Sequence, residues 1–258
     1  MSQQLYVQKS GAIATLIINR PEKKNSFTLQ MFRKLFQLVN ELKEDKTIKL
    51  LIVRGVDGTA FSAGADISEF LEVRFAPKKA KQYNDVALEA IEALYRFPKP
   101  TIALIQTLAI GGGLELANAC DFRFATPESK LGITAANIGI VYNLTSTKRL
   151  FNLIGPAKTK ELLYTASLIT AEEGNKIGLI DFVYPAEKIE EKCVEFAKRI
   201  TAKSSVANAG IKQVIQAIID GENEESAAIS ELILDSFQSE DYKEGIQAFL
   251  EKRKPNFP

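Results

Sequence analysis

Two apolar runs fix the kind of architecture this chain can adopt. KLLIVRG (49–55) and TIALIQT (101–107) each read as a buried strand, and each leads into small residues: FSAGAD (61–66) after the first, IGGGLE (110–115) after the second. Short continuous apolar runs bounded by glycine suit strands covered on both faces. The second loop opens a helix expected over 113–120, where Glu115 stands between Leu114 and Leu116. The pattern is α/β, and it puts permissive backbone and a charge at one strand end.

The rest of the chain extends the alternation. Residues 4–9 and 12–19 read as two strands around Gly11. Met31, Phe32, Leu35, Phe36, Leu38, Val39 and Leu42 recur at helical spacing over 29–42. A helix is expected over 78–95, with Val86, Ala90, Ala93 and Leu94 inward, stopped by the prolines of PKP (98–100). DFRFA (121–125) and SKLGI (129–133) are strands, and 134–184 reads as short helices with one strand, LIDFVYP. Beyond residue 185 only helices are expected, at 186–202, 205–219, 224–238 and 240–253. The division is therefore a strand–helix core over 1–185 and a helical region over 186–258.

Lys+Arg number 33 and Asp+Glu 32, a net charge of +1, which gives no ground for a nucleic-acid or membrane-surface partner. No apolar run reaches the ~20 residues that span a bilayer. MSQQLYVQKSG lacks the apolar segment of a signal peptide, so the expected location is cytoplasmic. Cys120 and Cys193 have no metal-ligand spacing and read as reduced core residues. The chain contains no histidine. That excludes Ser-His-Asp and Cys-His mechanisms and any His-liganded metal, leaving proton transfer to carboxylates, Tyr, Lys or Cys.

Both glycine loops let a ligand approach main-chain N–H groups closely. The first amides of the helix behind IGGGLE have no internal partner. The amides of Ala65 and Gly112 are thus candidate donors to one developing oxyanion, worth roughly 2.7–4 kcal/mol each. Glycines that merely permit tight strand-to-helix turns would look the same. Neither G-x-G-x-x-G nor the phosphate-binding G-x-x-x-x-G-K-[ST] is present. Glu115, flanked by apolar residues, must be paired or face a cavity, where a carboxylate suits general base or acid work. A capping or salt-bridged glutamate is the competing reading.

TLIINRPEKKNSF, FSAGADISEF and FPKPTIALIQTLAIGGGLELANACDFRFA, in that order, resemble the crotonase (enoyl-CoA hydratase/isomerase) superfamily. The resemblance continues through GPAKTKELLYT, LITAEEGNKIGLID and EGIQAFLEKRKPNFP. It implies a spiral of ββα units with an all-helical C-terminal region that builds a homotrimer or a hexamer. It implies an acyl-CoA thioester substrate, with coenzyme A part of the substrate and no separate cofactor or metal. The Ala65 and Gly112 amides would hold the thioester oxygen. Ala63, Ala65, Asp66, Ile67, Ser68, Gly111, Gly112 and Lys24 would line the ligand, with Phe249 and Lys252 near the coenzyme A. Glu115 would be one of two catalytic glutamates.

The second glutamate is missing. Family hydratases carry it four residues before a loop glycine; counting back from Gly139 in LGITAANIGIVYNL reaches Ala135. Asn137 and Tyr142 are the polar candidates near the gap, although loop hydrogen bonding would explain either. Asp66 and Glu69 read as structural or solvated charges. The resemblance implies an enzyme, first an enoyl-CoA hydratase working with one glutamate. An enoyl-CoA isomerase and a weakly catalytic acyl-CoA-binding relative are the alternatives.

Overall fold

β1 (Leu5–Ser10) and β2 (Ile13–Ile18) form the expected antiparallel hairpin, turning at Gly11 with φ +56°. The computed structural model describes residues 3–257. Thr28 caps α1 (Leu29–Glu44) by accepting from the Met31 amide, and the helix buries Met31, Phe32, Leu35, Leu38, Val39 and Leu42. β3 (Leu50–Gly55) lies parallel to β2. The chain then runs through the small-residue loop into α2 (Phe70–Val73) and α3 (Pro77–Tyr95).

TIALIQT holds one strand, as expected, and a second, unexpected strand follows directly after it. β4 (Thr101–Ile105) joins the main sheet, and β5 (Leu108–Ile110) belongs to a second one. Thr107 turns the chain between them at φ +71°, a conformation a β-branched residue rarely adopts. Its hydroxyl donates to the Gly58 carbonyl, and its own carbonyl accepts from Lys130 N at 2.8 Å. α4 (Gly112–Asn118) follows, then β6 (Phe122–Ala125) and β7 (Lys130–Gly132).

The region expected as short helices holds α5 (Leu144–Thr165), whose two halves meet at Gly155 (φ +72°) just before Pro156. β8 (Ile169–Thr170), too short to show in the sequence, pairs antiparallel with β7. α6 (Ala171–Lys176) and β9 (Phe182–Val183) complete the alternation. The main sheet has the order β1-β2-β3-β4-β6-β9 and the second β5-β7-β8. From β4 on, successive turns of chain add one strand to each sheet (β4 and β5, β6 and β7, β8 and β9), the spiral of ββα units expected above.

One core packs the main sheet against α1, α3, α4 and α5. The sheet's other face, with Leu50, Ile52, Ile102, Leu104 and Phe124, is closed by Ile189, Cys193 and Ala197 of α7 (Ala186–Thr201). Both cysteines are free and buried, and burial pushes each thiol up to about 12. α8 (Ser205–Ile219), α9 (Ala227–Ser236) and α10 (Glu240–Leu250) complete the chain. α8 and α9 contain no buried residue. Among the described residues no helix is long and apolar enough to cross a membrane.

Candidate active site

The loop after β3 is stitched at two points. Ile110 N donates to the Ser62 carbonyl at 3.0 Å, and Ser62 N to Leu108 O at 3.3 Å. Three residues on, Phe27 N donates to Gly64 O at 2.7 Å and Asp66 N to Phe27 O at 2.8 Å. These two bonds flank Ala65 in a parallel bridge, so the Ala65 N–H points away from Phe27. Among the described residues it donates to no backbone or side-chain acceptor.

Gly112 supplies the second amide. As the first residue of α4 its N–H has no intrahelical partner. A Cβ built on Gly112 would lie 3.6 Å from the Ala65 nitrogen, so the two amides are neighbours. The approach depends on missing side chains. A Cβ on Gly64 (φ +89°) would meet Ile110 O at 2.7 Å and Gly112 N at 2.8 Å, and one on Gly113 would meet Ser62 O at 2.1 Å. Two N–H donors beside one cavity can stabilise an oxygen that gains negative charge.

One turn into α4, Glu115 is 9% exposed. Tyr142 Oη donates to its Oε2 at 2.9 Å and Ser146 Oγ to its Oε1. Arg149 Nη1 stands 4.0 Å from Oε1. α5 positions these partners: Asn143 caps it by accepting from Ser146 N at 2.9 Å, which sets Ser146 and Arg149 one turn apart against α4. Arg149 also pairs with Glu92 and lies 4.5 Å over the Tyr95 ring. Burial, and next the charge of Glu115, hold Tyr142's pKa well above its ordinary value of 10. Tyr142 is therefore a protonated donor to Glu115 at neutral pH.

A cavity of about 550 Å³ opens over this machinery. Ala63, Ala65, Ile67, Gly111, Gly112, Glu115, Ala135 and Tyr142 are all among the residues that line it. Ala135 begins a 3-10 turn (Ala135–Ile138) that Gly139 ends at φ +70°. The other expected residues lie elsewhere. Asn137 and Lys24 are exposed and outside the lining, as are Phe249, 82% exposed, and Lys252. Ser68 and Asp66 face each other instead: Ser68 N and Oγ donate to Asp66 Oδ1 at 3.0 and 2.6 Å.

Asp66 is structural but, against expectation, not solvated. It is buried and accepts from Arg20 at 2.6 Å. The Ser68 hydroxyl, with Arg20 behind it, holds its pKa down at about 2. Glu69 likewise accepts from Leu29 N at 2.9 Å, tying the loop to the start of α1. Sequence reasoning missed Ser146 and Arg149; the available signal was Asn143, a good cap opening an apolar-periodic stretch.

A family model described as enoyl-CoA hydratase/isomerase matches residues 8–258. The chain belongs to that family. A crotonyl-CoA hydratase from Syntrophomonas wolfei is 34% identical over 259 residues, covering 99% of this chain and 98% of the relative. A methylmalonyl-CoA decarboxylase from Escherichia coli is 30% identical over 259 residues, covering 99% and 98%. The solved structure of an enoyl-CoA hydratase/carnithine racemase from Magnetospirillum magneticum superposes with a TM-score of 0.95 at 32% identity, covering 100% of this chain and 96% of that one. The protein is thus an acyl-CoA enzyme of the crotonase family. Relatives named for hydration and for decarboxylation match at similar levels, so the choice of reaction rests on the site.

Proposed function

We propose that the protein hydrates a 2-enoyl coenzyme A thioester with Glu115 as its one proton-transfer carboxylate. The thioester oxygen accepts from the Ala65 and Gly112 amides. Glu115 takes a proton from water as the hydroxyl bonds to Cβ, and the double-bond electrons move onto the thioester as an enolate. The enolate collapses as Glu115 returns the proton to Cα, so one water is added in all. Tyr142 and Ser146 hold the carboxylate in place through both half-reactions. Each amide donor is worth about 2.7–4 kcal/mol at the enolate stage.

The observation that carries this reading is Glu115 fixed by Tyr142 and Ser146 in the same cavity as the two unpaired amides. Asp85, which also lines the cavity, is exposed and paired with Lys81 at 2.7 Å. The alanine at 135 favours a second reading, a double-bond shift, in which Glu115 removes a proton from Cα of a 3-enoyl thioester and returns it to Cγ. Mass spectrometry separates the two. Hydration of crotonyl-CoA adds the mass of one water; a shift leaves the mass unchanged and moves the product's retention. Glu115→Gln is expected to lower turnover by about 10²–10⁴-fold with thioester affinity retained. No change in either thioester would leave a non-catalytic acyl-CoA-binding relative.

The proposal includes assembly through residues 186–258. Ile211, Ile215 and Ile218 of α8, Leu234 of α9 and Phe249 of α10 are exposed. A monomer would leave these apolar side chains in water, whereas a trimer or hexamer would bury them. Analytical ultracentrifugation checks this.

A further inference from the structure

The chain has five arginines that are not exposed, and four of them pair with a carboxylate: Arg20 with Asp66, Arg54 with Glu190, Arg123 with Asp181 and Arg149 with Glu92. Arg74 is the exception. It ends α2, half-buried, and lines the same cavity as Glu115. Its guanidinium lies 4.7 Å from the Phe70 ring centre and 5.2 Å from that of Tyr83. Among the described residues its side chain makes no hydrogen bond and no ion pair. The Tyr83 hydroxyl, on the ring that Arg74 covers, is itself buried without a partner.

Two aromatic faces hold a cation in place but leave its five N–H donors unused. Burial draws Arg74 below its ordinary pKa, while Tyr83 and Glu115 act in the opposite sense. Glu115 would repel any acyl group that brought a negative charge into this cavity unless a cation met it. An uncharged acyl chain offers Arg74 no partner; a carboxylate meets both its charge and its forked donors.

We propose that Arg74 binds a carboxylate on the acyl chain, so that the substrates are thioesters of dicarboxylic acids. This deepens the reading of the site as an acyl-CoA cavity and rests on it. A phosphate of coenzyme A is the other anion the same guanidinium would take, and the test separates the two.

Isothermal titration calorimetry with glutaryl-CoA and pentanoyl-CoA, matched in length and saturated, reads binding without turnover. The native protein is expected to bind glutaryl-CoA about tenfold or more tightly than pentanoyl-CoA. Arg74→Gln should bring that ratio close to one, and Arg74→Lys should keep part of it. Equal or weaker binding of glutaryl-CoA by the native protein overturns the proposal, whether or not the variants fold. So does an equal loss for both thioesters in Arg74→Gln, which would place Arg74 on coenzyme A itself. A glutaryl-CoA preference in a protein that hydrates nothing would uphold the substrate class and sink hydration alone.

Discussion

Tyr142 reaches back 27 residues along the chain to donate its hydroxyl to Glu115 Oε2 at 2.9 Å. The contact joins the loop that has alanine at position 135 to the helix that bears the carboxylate. Removing the donor while keeping the ring isolates what the bond contributes. Tyr142→Phe is expected to lower kcat about tenfold or more, with a smaller change in KM, since a hydrogen bond to a charged group is worth about 1.5–3 kcal/mol. Steady-state kinetics with crotonyl-CoA checks this; unchanged kcat would remove Tyr142 from the mechanism.

Alkaline titration tests the same contact without substrate. Tyr83 and Tyr142 are both held above the ordinary phenol value of 10, Tyr83 chiefly by burial and Tyr142 by burial and Glu115. Above that value the unfolded chain releases these protons and the folded chain keeps them. Their contribution to stability is therefore complete below pH 10 and is lost as pH climbs toward the folded values. Phenolate absorbance should show both groups protected until the protein unfolds, and Tyr142→Phe should remove one of them.

Ala135→Glu tests what the second loop lacks. Ala135 lines the cavity, so a glutamate there would share it with Glu115. If protonation of Cα limits a one-carboxylate hydratase, the added acid should raise crotonyl-CoA hydration by about tenfold or more. A flat or lower rate would favour the double-bond shift, which needs only one base.

Asp66 anchors the loop that carries the Ala65 amide. Asp66→Asn would leave Arg20 partly buried against a neutral partner and is expected to cost about 3 kcal/mol. Asp66's pKa falls from 3.8 to about 2 in the folded protein. Its contribution is thus present above pH 3.8 and fades as pH drops toward 2. Urea denaturation at neutral pH and at pH 3 checks both: the gap between native and variant should narrow at the lower pH.

Gly113→Ala should be the most damaging small substitution near the site. The new methyl would sit 2.1 Å from the Ser62 carbonyl, a backbone atom held by Ile110 N. A loss of about 3 kcal/mol or failure to fold is expected, by thermal denaturation or solubility. Gly111→Ala, with nothing within 4 Å of its Cβ, is the comparison, burdened only by φ +56°.

The sequence made α1 readable because six buried apolar residues recur on one face. It did not make the break between β4 and β5 readable. Thr107 adopts a conformation against its own preference, and only the second sheet rewards it. Glu115, Ala65 and Gly112 stood out because a charge among leucines and a run of glycines are locally anomalous. Ser146 and Arg149 have no such mark. They matter because α5 docks on α4, a relation between segments about 30 residues apart that no local pattern encodes. Arg74 is legible only by comparison: its lack of a carboxylate shows once every other arginine inside the protein has been traced to one.

The two unpaired amides belong to the main chain, and that makes them hard to lose. Any residue placed at 65 other than proline still presents an N–H, while the absence of side chains at Gly64 and Gly113 lets the loop and helix approach closely. Glu115, Ala135, Tyr142 and Arg74 sit around those amides as replaceable side chains. If those amides hold the thioester oxygen as proposed, a lineage can exchange one reaction for another without rebuilding that grip: the anchor is inherited with the fold, and the chemistry is free to drift.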